Sequence, residues 1–207
     1  KDISFNIDNE SLYGGPYHKN ISAAIIATGD LYDTFKKYKT VVDLDRHNLT
    51  ITNNSKNVGS GASLSAIDRG ILEITNPGDI TIYEDGMGPC AGIFANGGGE
   101  VYIDNAATGS TVTITTSAGG GGYNDSYKDS GAGIKTMNGA DGVRSKVVIT
   151  GLVDIVADLN KCNNEALSAV ASTIEVGGGR LAAINGAWCA IRAYGEFVSD
   201  NTSVVNV

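Results

Sequence analysis

Helical periodicity is almost absent from this chain, which leaves short alternating runs and turns as its organising signal. Cysteine is scarce. Cys90, Cys162 and Cys189 are too few for a disulfide framework, and they lack zinc-type spacing. Cys162 and Cys189 lie 27 residues apart, about one structural repeat, so a bridge between stacked neighbours is one reading and free buried thiols the other. Charge is sparse and of the wrong sign for nucleic acid: 18% of residues are charged and the formal net charge is -8, which repels phosphate backbones and anionic bilayers. No apolar run approaches the roughly 18 residues a membrane helix needs, so direct membrane insertion by this segment is not expected. The chain opens at Lys1 with neither an initiator Met nor a signal sequence, and is read as a processed or excised piece.

Glycine, by contrast, is abundant. The 28 glycines among 207 residues are about twice the usual share, but they sit within 42% apolar residues, which excludes collagen and low-complexity disorder. They punctuate runs rich in Val, Ile and Thr. The most visible recurrence is GASLSA (Gly61 to Ala66), CAGIFA (Cys90 to Ala95) and GAGIKT (Gly131 to Thr136), with fainter copies at EALSAV (Glu165 to Val170) and WCAIRA (Trp188 to Ala193). Aligning Leu64, Ile93, Ile134, Leu167 and Ile191 gives spacings of 29, 41, 33 and 24 residues.

Two further alternating pairs lie between successive copies, so each repeat holds three strands, a, b and c. The a strands offer Val42/Leu44, Leu72/Ile74, Val101/Ile103, Val147/Ile149 and Ile174/Val176 as inward pairs. The b strands offer Leu49/Ile51, Ile80/Ile82, Val112/Ile114, Val153/Ile155 and Ala182/Ile184, with polar neighbours such as Thr50, Thr81, Thr113 and Asp154 turned outward. Three short strands per turn with inward aliphatic ladders predict an all-β, right-handed parallel β-helix: a single solenoid domain over residues 1–207, of about five to six coils. Ile3 to Ile7 and Ser22 to Asp30 read as an earlier, imperfect coil, and Phe197 to Ser199 with Ser203 to Val207 as the start of another. Ending in mid-pattern, the C-terminal coil is expected to expose aliphatic residues, as in a segment of a longer rod.

Two segments break the rhythm. Leu31 to Lys39, behind a candidate Asp30 N-cap, predicts a short helix or an irregular lateral cap. Residues 119–130 (GGGGYNDSYKDS) lengthen one b-to-c connection and predict a protruding loop. In that loop Tyr123, Asn124, Asp125, Tyr127, Lys128 and Asp129 combine amphipathic aromatics with hydrogen-bonding groups, the composition of a candidate ligand-contact loop, although a solvated turn has the same residues. The acidic residues there lack the spacing of an EF-hand or of a calcium-binding nonapeptide repeat, so no metal and no cofactor is expected.

Catalysis needs parts that the chain does not display. Pectin-degrading hydrolases of β-helical shape resemble one another in Asn-Thr-Asp, Asp-Asp, Gly-His-Gly and Arg-Ile-Lys steps, and none occurs here. Paired carboxylates for acid and base roles at a glycosidic bond are missing too. A lyase would need a calcium-binding acidic trio and a basic residue; Lys135 and Arg192 occupy related outward positions, but two cations are not a site. His18 and His47 read as turn or surface residues. Trp188 reads as a packed side chain rather than an exposed anchor. Six Asn-x-Ser/Thr sequons, at Asn9, Asn20, Asn48, Asn53, Asn124 and Asn201, follow from 18 asparagines in Ser- and Thr-rich turns without implying glycosylation. The chain is therefore expected not to be an enzyme.

The stretches VVDLDRHNLTITNNSKNVGSGASLSAIDRGILEITNPGDITIYEDG (Val41 to Gly86) and CAGIFANGGGEVYIDN (Cys90 to Asn105) resemble the passenger repeats of bacterial autotransporters, and the likeness continues more diffusely to Val207. It rests on repeat style, not on a catalytic motif. The resemblance implies a rod exported through the outer membrane and held at the cell surface by a barrel absent from this chain. Such passengers are commonly adhesins, whose partners are host or bacterial surface proteins or glycans, or further copies in cell-to-cell aggregation and biofilm. Three cysteines depart from that pattern. The competing reading is a secreted carbohydrate-binding β-helix module, with Tyr83, Tyr102, Tyr123, Tyr127 and Tyr194 as stacking platforms.

Overall fold

Because each short Val-, Ile- and Thr-rich run has one apolar face and cannot bury it alone, the chain winds so that every run lies on the equivalent run of the previous turn. A computed structural model shows the result, describing residues 1–7, 23–29, 36–54, 62–85, 91–117, 131–139, 142–158, 164–185, 187, 189–194 and 203–207. There is no helix among the described residues. The strands form a right-handed parallel β-helix of about six coils.

The first coil holds β1 (Ile3–Ile7), β2 (Ile25–Thr28) and β3 (Tyr38–Asp43), and the second β4 (Leu49–Asn53), β5 (Ala62–Ile67) and β6 (Gly70–Thr75). The third holds β7 (Ile80–Glu84), β8 (Ala91–Asn96) and β9 (Glu100–Ile103), and the fourth β10 (Thr111–Thr116), β11 (Gly131–Met137) and β12 (Lys146–Ile149). The fifth holds β13 (Leu152–Asp158), β14 (Asn164–Val170) and β15 (Thr173–Val176), and the sixth β16 (Gly179–Ile184), β17 (Cys189–Tyr194) and β18 (Val204–Asn206). Three six-stranded parallel sheets follow: a b sheet β1-β4-β7-β10-β13-β16, a c sheet β2-β5-β8-β11-β14-β17 and an a sheet β3-β6-β9-β12-β15-β18.

Register bears out the ladder read from the c strands. Ile25, Leu64, Ile93, Ile134, Leu167 and Ile191 are level in successive coils. Beside them the b strands stack Leu49, Ile80, Val112 and Val153, then Ile51, Ile82, Ile114 and Ile155, all buried. The c strands also turn a second, adjacent position inward. A Cβ on Gly92 would lie 2.6 Å from Ile114 Cγ2, and one on Gly133 would lie 2.3 Å from Ile155 Cγ2, so only glycine fits between the two sheets there.

Two of the expected inward pairs are corrected at the ends of the ladder. In β3 the residue level with Leu72 is Thr40 and the one level with Ile74 is Val42; Leu44, although buried, lies beyond the strand. A threonine on the first rung gave no apolar signal. In β16 the parity is reversed: Leu181 is level with Ile155 and Ala183 with Ala157, while Ala182 and Ile184 face outward, Ile184 being 38% exposed. The rung above Val153 is Gly179, which has no side chain to mark it, and a one-residue slip exchanges the two faces.

The corners are built differently. Between a and b strands a relay of polar side chains crosses coils: Asn48 N–H donates to Asp2 Oδ1 (3.2 Å), Asp79 N–H to Asn48 Oδ1 (2.9 Å) and Thr111 N–H to Asp79 Oδ1 (3.0 Å). Buried Asn105 continues it, accepting from Gly151 N–H at 2.7 Å and donating to the carbonyls of Ser110 and Leu152. Between c and a strands the chain turns through left-handed residues. Gly97 and Gly98 fit that role, and Asp68 (φ 53°), Arg69 (φ 66°) and Ala171 (φ 45°) adopt it as well. The two longest connections, from β1 to β2 and from β10 to β11, run from b to c strands. Of the Leu31–Lys39 segment, Tyr38 and Lys39 open β3, extending the alternation of the a strands, and Leu31 to Phe35 lie outside the described residues.

Candidate functional site

The loop residues singled out from the sequence, Tyr123, Asn124, Asp125, Tyr127, Lys128 and Asp129, lie outside the described residues, as do His18, Trp188, Cys90 and Cys162. The described anchors of that loop are Thr116, ending β10, and Gly131, opening β11. Cys189 carries a free thiol, half-buried, which burial and the Glu165 carboxylate push up from the ordinary thiol range. His47 sits in the turn between β3 and β4, its ring beside the amino group of Lys1. No group of three or more metal-ligating side chains occurs among the described residues.

Outside the a sheet the alternation that buries Leu72, Val101 and Val147 presents the intervening residues to solvent. One outward column runs Lys39, Ile71, Glu100, Lys146 and Thr173; the next runs Val41, Glu73, Tyr102, Val148 and Glu175. At the strand spacing of about 4.8 Å opposite charges in these columns meet. Lys39 pairs with Glu73 and Lys146 with Glu175 at 3.1 Å, and Lys37, just before β3, pairs with Glu100. The Tyr102 hydroxyl donates to Glu100 Oε2 at 2.6 Å. Partial burial raises the Glu100 carboxyl, but the Lys37 and Tyr102 hydrogen bonds and the Lys37 and Lys146 charges outweigh it, leaving the group below its ordinary value. The Tyr102 phenol is held well above its own, first by burial, then by its bond to Glu100 and the charges of Glu100, Glu175 and Glu73.

Lys39, Glu73, Glu100 and Tyr102, with Ile71, Val148 and Thr150, line an open groove of about 440 Å³. A smaller groove of about 280 Å³ lies at the a-to-b corner, between Arg46, Asn48, Pro77 and Ser110. Of the tyrosines proposed as stacking platforms, Tyr83 is exposed on the b sheet and Tyr102 is half-buried on the a sheet, so these two are not brought together; Tyr123 and Tyr127 lie outside the described residues. Tyr194 closes β17, and nothing further is described of its side chain.

Lys135 and Arg192 do share a column outside the c sheet, with Ser168 between them. Arg192 donates to the fully buried Glu165 at 2.7 Å, and Lys135 is itself buried. That column is a buried polar seam, not an open basic patch.

One cluster escaped the sequence reading. The third inward position of the b strands is polar in three successive coils: Asn53, Glu84 and Thr116 are level and all fully or almost fully buried. Glu84 Oε1 accepts from Ser63 Oγ and, at 3.4 Å, from Asn53 Nδ2, while Oε2 has no partner among the described residues. Burial pushes this carboxyl up to about 8 against the lowering effect of those hydrogen bonds, so it is protonated at neutral pH. Following the Ile80-x-Ile82 alternation one step further would have found it.

Fold and faces thus define a parallel β-helix with shallow, chemically mixed outer surfaces. No family model, curated protein or solved structure matches the chain.

Proposed function

We propose that this chain is a surface-displayed adhesive segment, attaching bacteria to surfaces or to one another through the faces and loops of the rod. The supporting observation is the a sheet: residues of both signs surround a half-buried tyrosine in an open groove, on a scaffold held rigid by six stacked strands. Such a face makes many weak contacts, and copies arrayed on a cell add them into avidity. The resemblance to autotransporter passengers supports display at the outer membrane, with host or bacterial surface proteins or glycans as partners.

The test is to display the chain on a non-aggregating bacterium and measure autoaggregation, attachment to host cells and binding to a glycan array. A Tyr102→Ala, Lys39→Glu double variant and a variant with residues 119–130 replaced by a short Gly-Ser link assign binding to face or loop. Adhesion unchanged from an empty display vector overturns the proposal. The position of Tyr102 among carboxylates also favours a second reading, a secreted carbohydrate-binding module; tight binding to one soluble oligosaccharide without cell aggregation would establish it. Incubation with polygalacturonate, read for new reducing ends or unsaturated product, tests a lyase-like activity, and none is expected.

A further inference from the structure

The outer face of the b sheet is a surface of another kind. The alternation that buries Leu49 and Ile51, Ile80 and Ile82, and Val112 and Ile114 turns the residues beside them outward in three successive coils. Register levels Thr50 with Thr81 and Thr113, and Thr52 with Tyr83 and Thr115, which makes a grid of two columns. Its positions are about 4.8 Å apart along the rod and about 6.6 Å apart along a strand, so the grid spans roughly 10 Å by 7 Å. The threonines are half-buried and Tyr83 is 48% exposed. None of the six hydroxyls meets a hydrogen-bond partner among the described residues, whereas on the a sheet Glu73, Glu100 and Glu175 each hold a lysine. The grid contains no charged residue; the first column continues to Asp154, which has Arg180 beside it at 3.6 Å.

We infer that this grid is a binding site for a neutral polysaccharide, a run of uncharged hexose units stacked on Tyr83 with its hydroxyls on the threonines. A sugar ring has an apolar C–H face and a rim of hydroxyls. Tyr83 offers an aromatic surface to the first. The threonine hydroxyls, each able to donate one hydrogen bond and accept two, match the second. Their side chains are stiff and their backbone is held in a ladder on both sides, so little ordering is left for the ligand to impose. A uronate or other acidic sugar finds no cation in the grid and is repelled by Asp154 and by a chain of net charge -8. A flat lattice such as ice fits less well, because Tyr83 rises out of the threonine layer between Thr52 and Thr115.

The inference rests on the reading of the rod as a binder of surface glycans, and gives that reading a site apart from the a face. The grid lies on β4, β7 and β10, in the second to fourth coils. Being open and flat, it holds a single short oligosaccharide weakly, and many copies on a cell add such contacts along one polymer.

Isothermal titration calorimetry of the 207-residue chain with cellohexaose, maltohexaose and mannohexaose tests it, with hexagalacturonate as the charged comparator. At least one neutral hexasaccharide should bind, with amide shifts in the nuclear magnetic resonance spectrum centred on Thr81 and Tyr83, and hexagalacturonate should not. Tyr83→Ala should weaken binding about tenfold, and Thr81→Val, which keeps the shape of the side chain, about threefold. No binding by any of the three, a Tyr83→Ala variant with wild-type affinity, or hexagalacturonate bound as tightly overturns the inference. Inhibition of ice recrystallisation by a chain that binds no sugar overturns it too, and gives the grid to a lattice. Adhesion by the displayed chain with no neutral hexasaccharide bound removes this site and leaves the proposed function standing; sugar binding through Tyr83 by a chain that does not adhere does the reverse. Far-UV circular dichroism checks that the variants are folded; Tyr83→Thr, which completes the threonine column, substitutes for Tyr83→Ala if that variant is not.

Discussion

Glu84→Gln should remove a pH dependence of stability that the wild type carries across the neutral range. In the folded chain Glu84 keeps its proton to about pH 8, whereas in the unfolded chain it loses it near its ordinary value of 4.5. Because the folded pKa is the higher one, the folded state binds the extra proton between these values. Stability is thus fully present below the unfolded pKa and declines as pH rises toward the folded one. The gap of about 3.5 pH units at 1.36 kcal/mol each sets an upper limit of roughly 5 kcal/mol, of which roughly 4 falls between about pH 5 and pH 9. Glutamine preserves the oxygen that accepts from Ser63 and Asn53 but cannot ionise. Urea denaturation followed by circular dichroism should show a wild-type midpoint that drops through this window and a Glu84→Gln midpoint that stays nearly level, the two converging near pH 5. Asp43 and Glu100, whose carboxyls lie below their ordinary values, act in the opposite sense and only at acidic pH. A wild-type midpoint that holds or rises from pH 5 to pH 9, or a glutamine variant with the wild-type slope, would refute the reasoning.

Gly133→Ala forces a methyl to within 2.3 Å of Ile155 Cγ2 and 2.8 Å of the Ala166 carbonyl, and should destabilise by about 1–3 kcal/mol in the same denaturation experiment. Ile93→Ala opens a cavity on a fully buried rung and should cost about 2–5 kcal/mol, whereas Leu152→Ala, at a position 56% exposed, should stay within about 0.5 kcal/mol of wild type. Asn105→Ala removes the buried amide that ties one coil's turn to the next strand and should cost about 1–3 kcal/mol, with faster amide hydrogen exchange at Gly151 as its local signature.

The aliphatic rungs were legible because Leu64, Ile93, Ile134 and Leu167 repeat with the period of the coil, and their burial forces the register. Legibility failed where a rung is not aliphatic. Thr40 and Gly179 occupy inward positions without advertising them, and Ala182/Ile184 alternates as convincingly as Leu181/Ala183. Glu84 was passed over for a related reason: a carboxylate in an aliphatic ladder reads as the end of a strand until Ser63, folded onto it from the c strand of the preceding coil, supplies its partner. The Tyr102 groove was the least readable feature. Its columns join residues from coils about thirty positions apart, and no single segment contains both Lys39 and Glu100.

In this fold the backbone hydrogen bonds between coils lie along the rod, which decides how it answers force. Tension applied end to end loads the bonds of one terminal turn at a time, as in unzipping, instead of shearing all three sheets together. Each turn released pays out some thirty residues, about 100 Å of slack, while the turns behind it keep their shape. A rod of this kind lengthens stepwise under a tug while the coils not yet reached stay folded.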